Sequence, residues 1–431
     1  MRWTIFYLVI LVHLVPVTTL CQLKIVESIP QNLTYPGGSP THESTFKGWA
    51  DILNLAKNEV NISSFYMTLK GSDTKTKDPS TKEGEQILTS LKLLGGKGVT
   101  IRIVEEISSK GKSDSDQLEK LKLAQVQHLN MSNFGTGGIL HTKFIFVDGK
   151  HMYVGSANMD WRSLTQVKEL GILAINCPTL VQDAAKIFEV YWQLSKPGAK
   201  LPHVWPPALS TSFNMQTPMK VDIGGGSNNP YLYLSSAPYT FCPTGRTRDL
   251  NALLNVIRSA EKFVWIAVMD YIPAIIYNKP YQFWPVIDDE LRRAAIERNI
   301  NIRVMASYWS HTKEQMLQYL CSLTADSQIK RYPHYGGWID VKLFEVPVFT
   351  PEQKSIPFAR VNHNKYMVTD NKGYIGTSNW TGDYFNSTAG VSVTIQQKDG
   401  NNSLPQQLRD IFSRDWDSKY AKPIICNGSV F

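Results

Sequence analysis

What the chain lacks narrows the reading first. Its five cysteines stand at no spacing that would gather ligands around a metal. There is no HExxH helix and no carboxylate cluster either, so nothing in the sequence asks for a metal or another cofactor. No block of lysine and arginine marks a nucleic-acid-binding tail, and the net charge of +8 is spread over the chain. With only 19% charged against 42% hydrophobic and 11% aromatic residues, the composition excludes a disordered chain. Beyond the N-terminus no stretch is apolar enough to span a bilayer.

The N-terminus itself reads as a secretory signal over residues 1–20. Arg2 supplies the positive flank, residues 5–12 the apolar centre and Val17-Thr18-Thr19 the small-residue exit. A signal anchor is the alternative, since the run nearly reaches spanning length; His13 and Pro16 interrupt it and favour cleavage. A secretory route permits disulfides. Cys21–Cys177 and Cys321–Cys426 are the expected pairs, leaving Cys242 over, although spacing alone does not fix connectivity. Sequons at Asn32, Asn61, Asn130, Asn379, Asn386, Asn401 and Asn427 imply several glycosylated surface positions, with Asn379 expected to stay bare.

What is present is organised around one repeated stretch. His141-Thr142-Lys143-Phe144-Ile145-Phe146-Val147-Asp148, followed by Gly155-Ser156-Ala157-Asn158, returns as His363-Asn364-Lys365-Tyr366-Met367-Val368-Thr369-Asp370, followed by Gly376-Thr377-Ser378-Asn379. His and Lys stand two apart in an apolar run, so a strand points both to one face. A turn signal and a second short run come next, so each copy predicts a hairpin. A lone histidine in a strand is more often structural, but His, Lys, Asp, Gly, a hydroxyl, Asn and Trp recur here in the same order.

The flanking pattern repeats as well. The first half reads helix 44–58, strand 61–69, helix 83–94, strand 99–105, helix 115–126, hairpin, strand 169–174, helix 180–194. The second half reads helix 248–260, strand 262–270, helix 286–298, strand 301–307, helix 312–324, strand 339–346, hairpin, helix 404–416. This predicts an α/β fold built as a duplicated unit: two β-sheets flanked by helices, related by a pseudo-twofold axis and sharing one active site. The halves are residues 25–196 and 219–426, joined by a Pro-rich linker, 197–218.

The repeated motif resembles the HxKxxxxD signature of the phospholipase D superfamily. Longer strings, from Gly155 to Gly171, Val361 to Thr369 and Tyr374 to Trp380, look like the animal endolysosomal branch, phospholipases D three and four. That resemblance implies phosphodiester chemistry through a phosphohistidine, without a cofactor, in an endolysosomal lumen or after secretion. It also implies a five-prime to three-prime exonuclease on single-stranded DNA or RNA. A lipid phosphodiesterase acting on phospholipid, or an inactive secreted binding protein, are the alternatives. A homodimer is left open.

The catalytic set expected is His141, Lys143, Asn158, Glu169, His363, Lys365 and Asn379, with Asp148 and Asp370 completing the signature. Two ammonium groups and two amides would stabilise the charge of a five-coordinate phosphorus. One imidazole would attack while the other donates a proton. The resemblance assigns His363 as nucleophile and His141 as acid, with Glu169 supporting a protonated His141 if it faces that ring. The position of Asp148 and Asp370 at the turns points instead to holding the hairpins. Ser156, Thr377, Trp309 and His311 are the expected substrate-binding residues. Trp309 belongs to a dense aromatic series: Tyr271, Tyr277, Tyr281, Phe283, Trp284, Tyr308, Trp309, Tyr332, Tyr335 and Trp338. Such rings serve base stacking, although most of them are expected to pack the core.

Overall fold

The computed structural model describes residues 20–325, 336–398, 400 and 402–426. The signal segment, Tyr332, Tyr335, Asn401 and Asn427 lie outside them.

Two large sheets carry the fold. The first contains β1 (Gln22–Ser28), β2 (Glu59–Ser64), β3 (Thr100–Glu106), β4 (Gln125–Leu129), β5 (Phe144–Val147), β6 (His151–Gly155) and β7 (Glu169–Ile175). The second contains β8 (Tyr231–Ala237), β9 (Phe263–Val268), β10 (Asn301–Tyr308), β11 (Ile339–Glu345), β12 (Lys365–Thr369), β13 (Lys372–Gly376) and β14 (Gly390–Gln396). The first is ordered β1-β7-β6-β5-β2-β3-β4 and the second β8-β14-β13-β12-β9-β10-β11. Strand for strand the orders are the same. In each, the first five strands of that order pair antiparallel and the last three run parallel. The duplication read from the motifs therefore extends to the whole topology. Short strands at the sheet edges, Glu43–Ser44 in the first and Met219–Lys220 and Ala421–Pro423 in the second, extend it.

The helices repeat too: α1 (Thr45–Asn54), α2 (Lys82–Gly96), α3 (Asp114–Lys120) and α4 (Pro178–Leu194), then α5 (Asp249–Arg258), α6 (Val286–Arg298), α7 (Glu314–Thr324) and α8 (Leu404–Trp416). Ser44 caps α1 by accepting the N–H of Lys47 at 3.1 Å, and the helix buries Trp49, Ile52 and Leu53 against sheet one. One core lies under α1–α3, a second under α5–α7, and a third, holding α4 and α8, is shared by both sheets. Buried ion pairs sit at that shared layer. Arg414 donates two bonds of 2.7 Å to Glu27, Arg246 donates to Asp183 at 2.6 Å, and Lys168 lies 2.9 Å from Asp415. Each pair joins one half to the other. A mismatched docking would leave these charges desolvated and alone, which costs about 3–5 kcal/mol per broken pair.

Three expectations need correction. The helix expected over residues 115–126 stops at Lys120, because Lys122 turns left-handed at φ 58°; the chain then continues as β4, a parallel edge strand. Strands β1 and β8, which the sequence reading lacks, lie at the antiparallel ends of their sheets, inside only the short edge strands. Asn61 is not a surface sequon: it lies 3% exposed on β2, and its side-chain oxygen accepts from Arg102 Nε at 2.8 Å. Both expected disulfides are present, Cys21–Cys177 and Cys321–Cys426, with Cys242 free. They fit an oxidising, secretory route. Residues 197–218 carry one short helical turn, Pro207–Leu209.

Candidate active site

Both hairpins, β5–β6 and β12–β13, open towards the seam between the halves. His141, Lys143 and His363 do not lie on the strands as expected, but in the extended segments that enter them, and Lys365 opens β12. Those segments pair across the seam. Leu140 bridges Ala389, and Lys168 bridges Asn362, both in parallel sense. The His141 N–H donates to Ala389 O at 2.9 Å, and the His363 N–H to Lys168 O at 2.8 Å. The two contacts are counterparts under the duplication, so the interface is isologous and brings both motifs to one place.

The place is a cavity of about 740 Å³. His141, Asn158 and Glu169 line it from the first half, and His363, Asn379, Trp309 and His311 from the second. Lys143 and Lys365, 2% and 1% exposed, are not among the lining residues. Each bends back so that its ammonium donates to the carbonyl of its own histidine, at 2.7 and 2.8 Å.

Each imidazole is oriented by the opposite half. His141 Nδ1 lies 2.9 Å from Thr377 O, which fixes the proton on Nδ1 and leaves Nε2 with its lone pair. His363 Nδ1 lies 2.9 and 3.0 Å from the two oxygens of Glu169. Glu169 thus faces His363, not His141, and the expectation built on the other pairing falls. Ser156 and Ser163 donate to the same carboxylate at 2.6 and 2.8 Å. That occupies the Ser156 hydroxyl; Thr377 likewise spends its hydroxyl on the Val391 N–H at 3.1 Å. Neither lines the cavity, so both support it from behind.

Burial pushes the His141 imidazole well below its ordinary pKa, and the charges of Lys143, Lys365 and His363 add to this. Burial also lowers His363, but there Glu169 opposes the shift. Lys143 is driven well down by burial and by Lys365. Burial brings Lys365 down to about 8 against the pull of Glu169 and Asp270. Two lysines and two histidines crowd around two carboxylates, Glu169 and Asp270, and still titrate low. This is the electrostatics of an anion site, and a phosphate would oppose these shifts.

Asp148 and Asp370 sit away from this chemistry. Asp148 accepts the backbone N–H groups of Lys57, Asn58 and Glu59, each at 2.8 Å. Asp370 accepts those of Glu261 and Lys262 at 3.0 Å. Both tie the far end of a hairpin to the turn before β2 or β9. Two further groups at the site carry no sequence signal of their own. Asp270 lies just past the end of β9, is raised in pKa by burial, and accepts from Asn379 Nδ2 at 3.2 Å. Tyr384 packs edge-on against His141, centroids 5.0 Å apart. Of the aromatic series, Tyr271 is buried in the core and Trp284 packs half-buried against it, while Tyr277 and Trp309 reach the cavity.

Duplicated hairpins that bring two His–Lys pairs to one cavity define a phospholipase-D-type fold and site. A family model described as "PLD3/4, PLD-like domain" matches residues 37–332, and one described as "Cardiolipin synthase, PLD-like domain" matches 253–416. The chain belongs to the PLD3/4 family. It is 47% identical over 403 residues to the 5'-3' exonuclease PLD3 of Homo sapiens, covering 93% of this chain and 80% of that one. To the 5'-3' exonuclease PLD4 of Mus musculus it is 42% identical over 407 residues, covering 93% and 79%. Phosphatidylserine synthase of Haemophilus influenzae Rd KW20 shares the fold, with a TM-score of 0.56 at 11% identity over 88% of this chain and 84% of that one.

Proposed function

We propose that the protein is a phosphodiesterase releasing nucleotides from the five-prime end of single-stranded DNA or RNA, in an acidic compartment of the secretory route. The observation that carries the chemistry is the unequal fixing of the two histidines, His141 by a carbonyl and His363 by a carboxylate. The direction of digestion rests on the relatives named as 5'-3' exonucleases.

The roles follow from charge. A carboxylate on Nδ1 favours the imidazolium, so His363 is the acid; His141, depressed further and held with Nε2 free, is the nucleophile. This is the reverse of the assignment that the family resemblance implies. Nε2 of His141 bonds to phosphorus as the P–O bond to the leaving alkoxide breaks, and His363 gives that oxygen its proton. Neutral His363 then takes a proton from water, whose oxygen attacks phosphorus and breaks the P–N bond. Lys143, Lys365 and the amides of Asn158 and Asn379 hold the charge of the five-coordinate state.

A lipid phosphodiesterase would use the same groups. Exposed Val348, Phe349 and Phe358 on the second half are the feature that favours it, since bilayer enzymes insert apolar residues at the interface. One assay separates the readings. An end-labelled single strand should lose mononucleotides stepwise from its five-prime end while a circular strand stays intact. Cleavage of the circle or early release from the three-prime end overturns the exonuclease reading. Faster turnover of phospholipid vesicles establishes the lipid one.

A further inference from the structure

Beside the cavity lies a second groove of about 720 Å³, and the two share Trp309, His311 and Phe358. The shared residues form a ring stack. His311 lies flat on Phe358 with centroids 4.9 Å apart and planes 16° apart, and Trp309 meets His311 edge-on at 4.7 Å. Phe358 is 61% exposed on a left-handed backbone at φ 54°, as is Arg360 at φ 56°. L side chains rarely adopt that conformation unless their surroundings impose it. Here Arg360 imposes it, donating from Nε and Nη2 to Pro347 O at 2.9 and 2.6 Å and from Nη1 to Gln31 O at 3.1 Å. The loop is thereby fixed with an aromatic face turned outward. The indole N–H of Trp309 is buried and finds no partner among the described residues.

Beyond the stack the groove is cationic. Lys354, Lys419, Lys422 and Arg360 line it against a single carboxylate, Glu345, which Lys422 engages at 3.3 Å. Lys354 and Lys419 face no other lining carboxylate. Another groove, which meets the cavity at Tyr277 and Lys313, has Lys313 as its one lining cation. A single-stranded polyanion tracks cations with its phosphates and stacks bases on exposed rings. The Lys313 groove has exposed rings too, Tyr277, Tyr281 and Phe283, but a single cation. The first groove sets several lysines in series behind its ring stack and the reacting cavity.

We propose that this groove binds the unreacted, three-prime continuation of a single-stranded nucleic acid, whose terminal nucleotide occupies the cavity. Phe358 and His311 stack the base at the threshold, and Lys354 and Lys419 hold the next phosphates. The proposal rests on the exonuclease reading for the strand's direction, but its test does not need turnover.

Binding of a fluorescent twelve-nucleotide DNA to the full chain carrying His141→Ala is compared with and without Lys354→Ala and Lys419→Ala. The two lysine changes should weaken binding about tenfold and lower the salt slope by about 0.7 per lysine. The loss should shrink as the strand is shortened to two nucleotides and be restored by Lys354→Arg and Lys419→Arg. Unchanged affinity for the long strand, or an equal loss for the dinucleotide, overturns the groove. A larger loss from Tyr281→Ala and Phe283→Ala, which line the Lys313 groove but not the cavity, places the strand there and overturns it equally. In turnover assays, a wild-type enzyme that cuts circles fails the exonuclease reading whatever the lysine variants bind.

Discussion

Glu169, at the start of β7 in the first half, holds Nδ1 of His363, from the second half, between its two carboxylate oxygens at 2.9 and 3.0 Å. The duplication has no counterpart to it. Where the first half has Lys168-Glu169, the second has Ala389-Gly390, and an added Cβ at Gly390 would stand 2.4 Å from Ser378 Oγ. His141 therefore receives only a carbonyl. A symmetric ancestor with two equal imidazoles would have no built-in acid; this one carboxylate makes the halves unequal.

The first prediction follows directly. Glu169→Gln keeps the shape and the hydrogen-bond acceptor but removes the charge that opposes the fall of the His363 pKa. The sign is fixed: less His363 is protonated at any given pH, so the alkaline limb moves to lower pH by about one unit. At neutral pH, kcat should fall about a hundredfold or more, as loss of general-acid catalysis does. A substrate with an acidic phenol as leaving group needs no acid and should be spared in its first step. Equal losses on both substrates would make Glu169 a packing residue only.

Much of this is legible in the sequence, and the gaps have physical reasons. The repeated His-x-Lys runs and the element order can be read because each is local or occurs twice; the cysteine pairs span 156 and 105 residues, and spacing alone does not fix them. Which ring Glu169 faces cannot be read, since that depends on how the two halves dock. Ser156 and Thr377 read as substrate-facing because a hydroxyl near a motif shows nothing of which side it points to. Phe358 gives no signal in a polar loop because only its left-handed backbone sets it apart, and no residue type there announces that. The strand β4 reads as part of a helix because its apolar spacing continues that of α3 past Lys122.

The pH dependence is the second prediction. Activity requires His363 charged and His141 neutral. Both imidazoles lie below the ordinary value, His141 further than His363. As pH rises through the His363 pKa the acid is lost; as it falls through the His141 pKa the nucleophile is lost. The bell in kcat/KM should therefore centre below about 6.5. Above about 8 the Lys365 charge is lost as well, steepening the alkaline side. Chelators should leave the profile unchanged. An optimum above neutrality, or activity lost to chelator and restored by a divalent ion, would refute this account.

A third prediction separates the aspartates from the chemistry. Asp148→Ala removes the acceptor of three backbone N–H groups. Stability should fall by about 1–3 kcal/mol, read as a lower Tm. The folded remainder should keep kcat within about threefold, because a structural change away from the reacting groups does not touch the barrier itself. A fall of a hundredfold or more in kcat with unchanged Tm would return Asp148 to the catalytic set.

The last prediction concerns which histidine carries the phosphoryl group. In a His363→Ala variant, an ordinary diester should react poorly because its alkoxide leaves without a proton. A thymidine nitrophenyl phosphodiester is different, since its phenolate is stable and needs none. The first step should then proceed, while the second lacks the base that activates water. The expected result is a burst of about one equivalent of nitrophenolate per enzyme, followed by slow turnover, the signature of an accumulating covalent intermediate. Peptide mapping should place an acid-labile phosphoryl group on His141, whose Nε2 is left free by the bond from Nδ1 to Thr377 O. The mirror experiment with His141→Ala should give neither burst nor label. A label on His363 in that variant would reverse the roles, and with them the meaning given to Glu169.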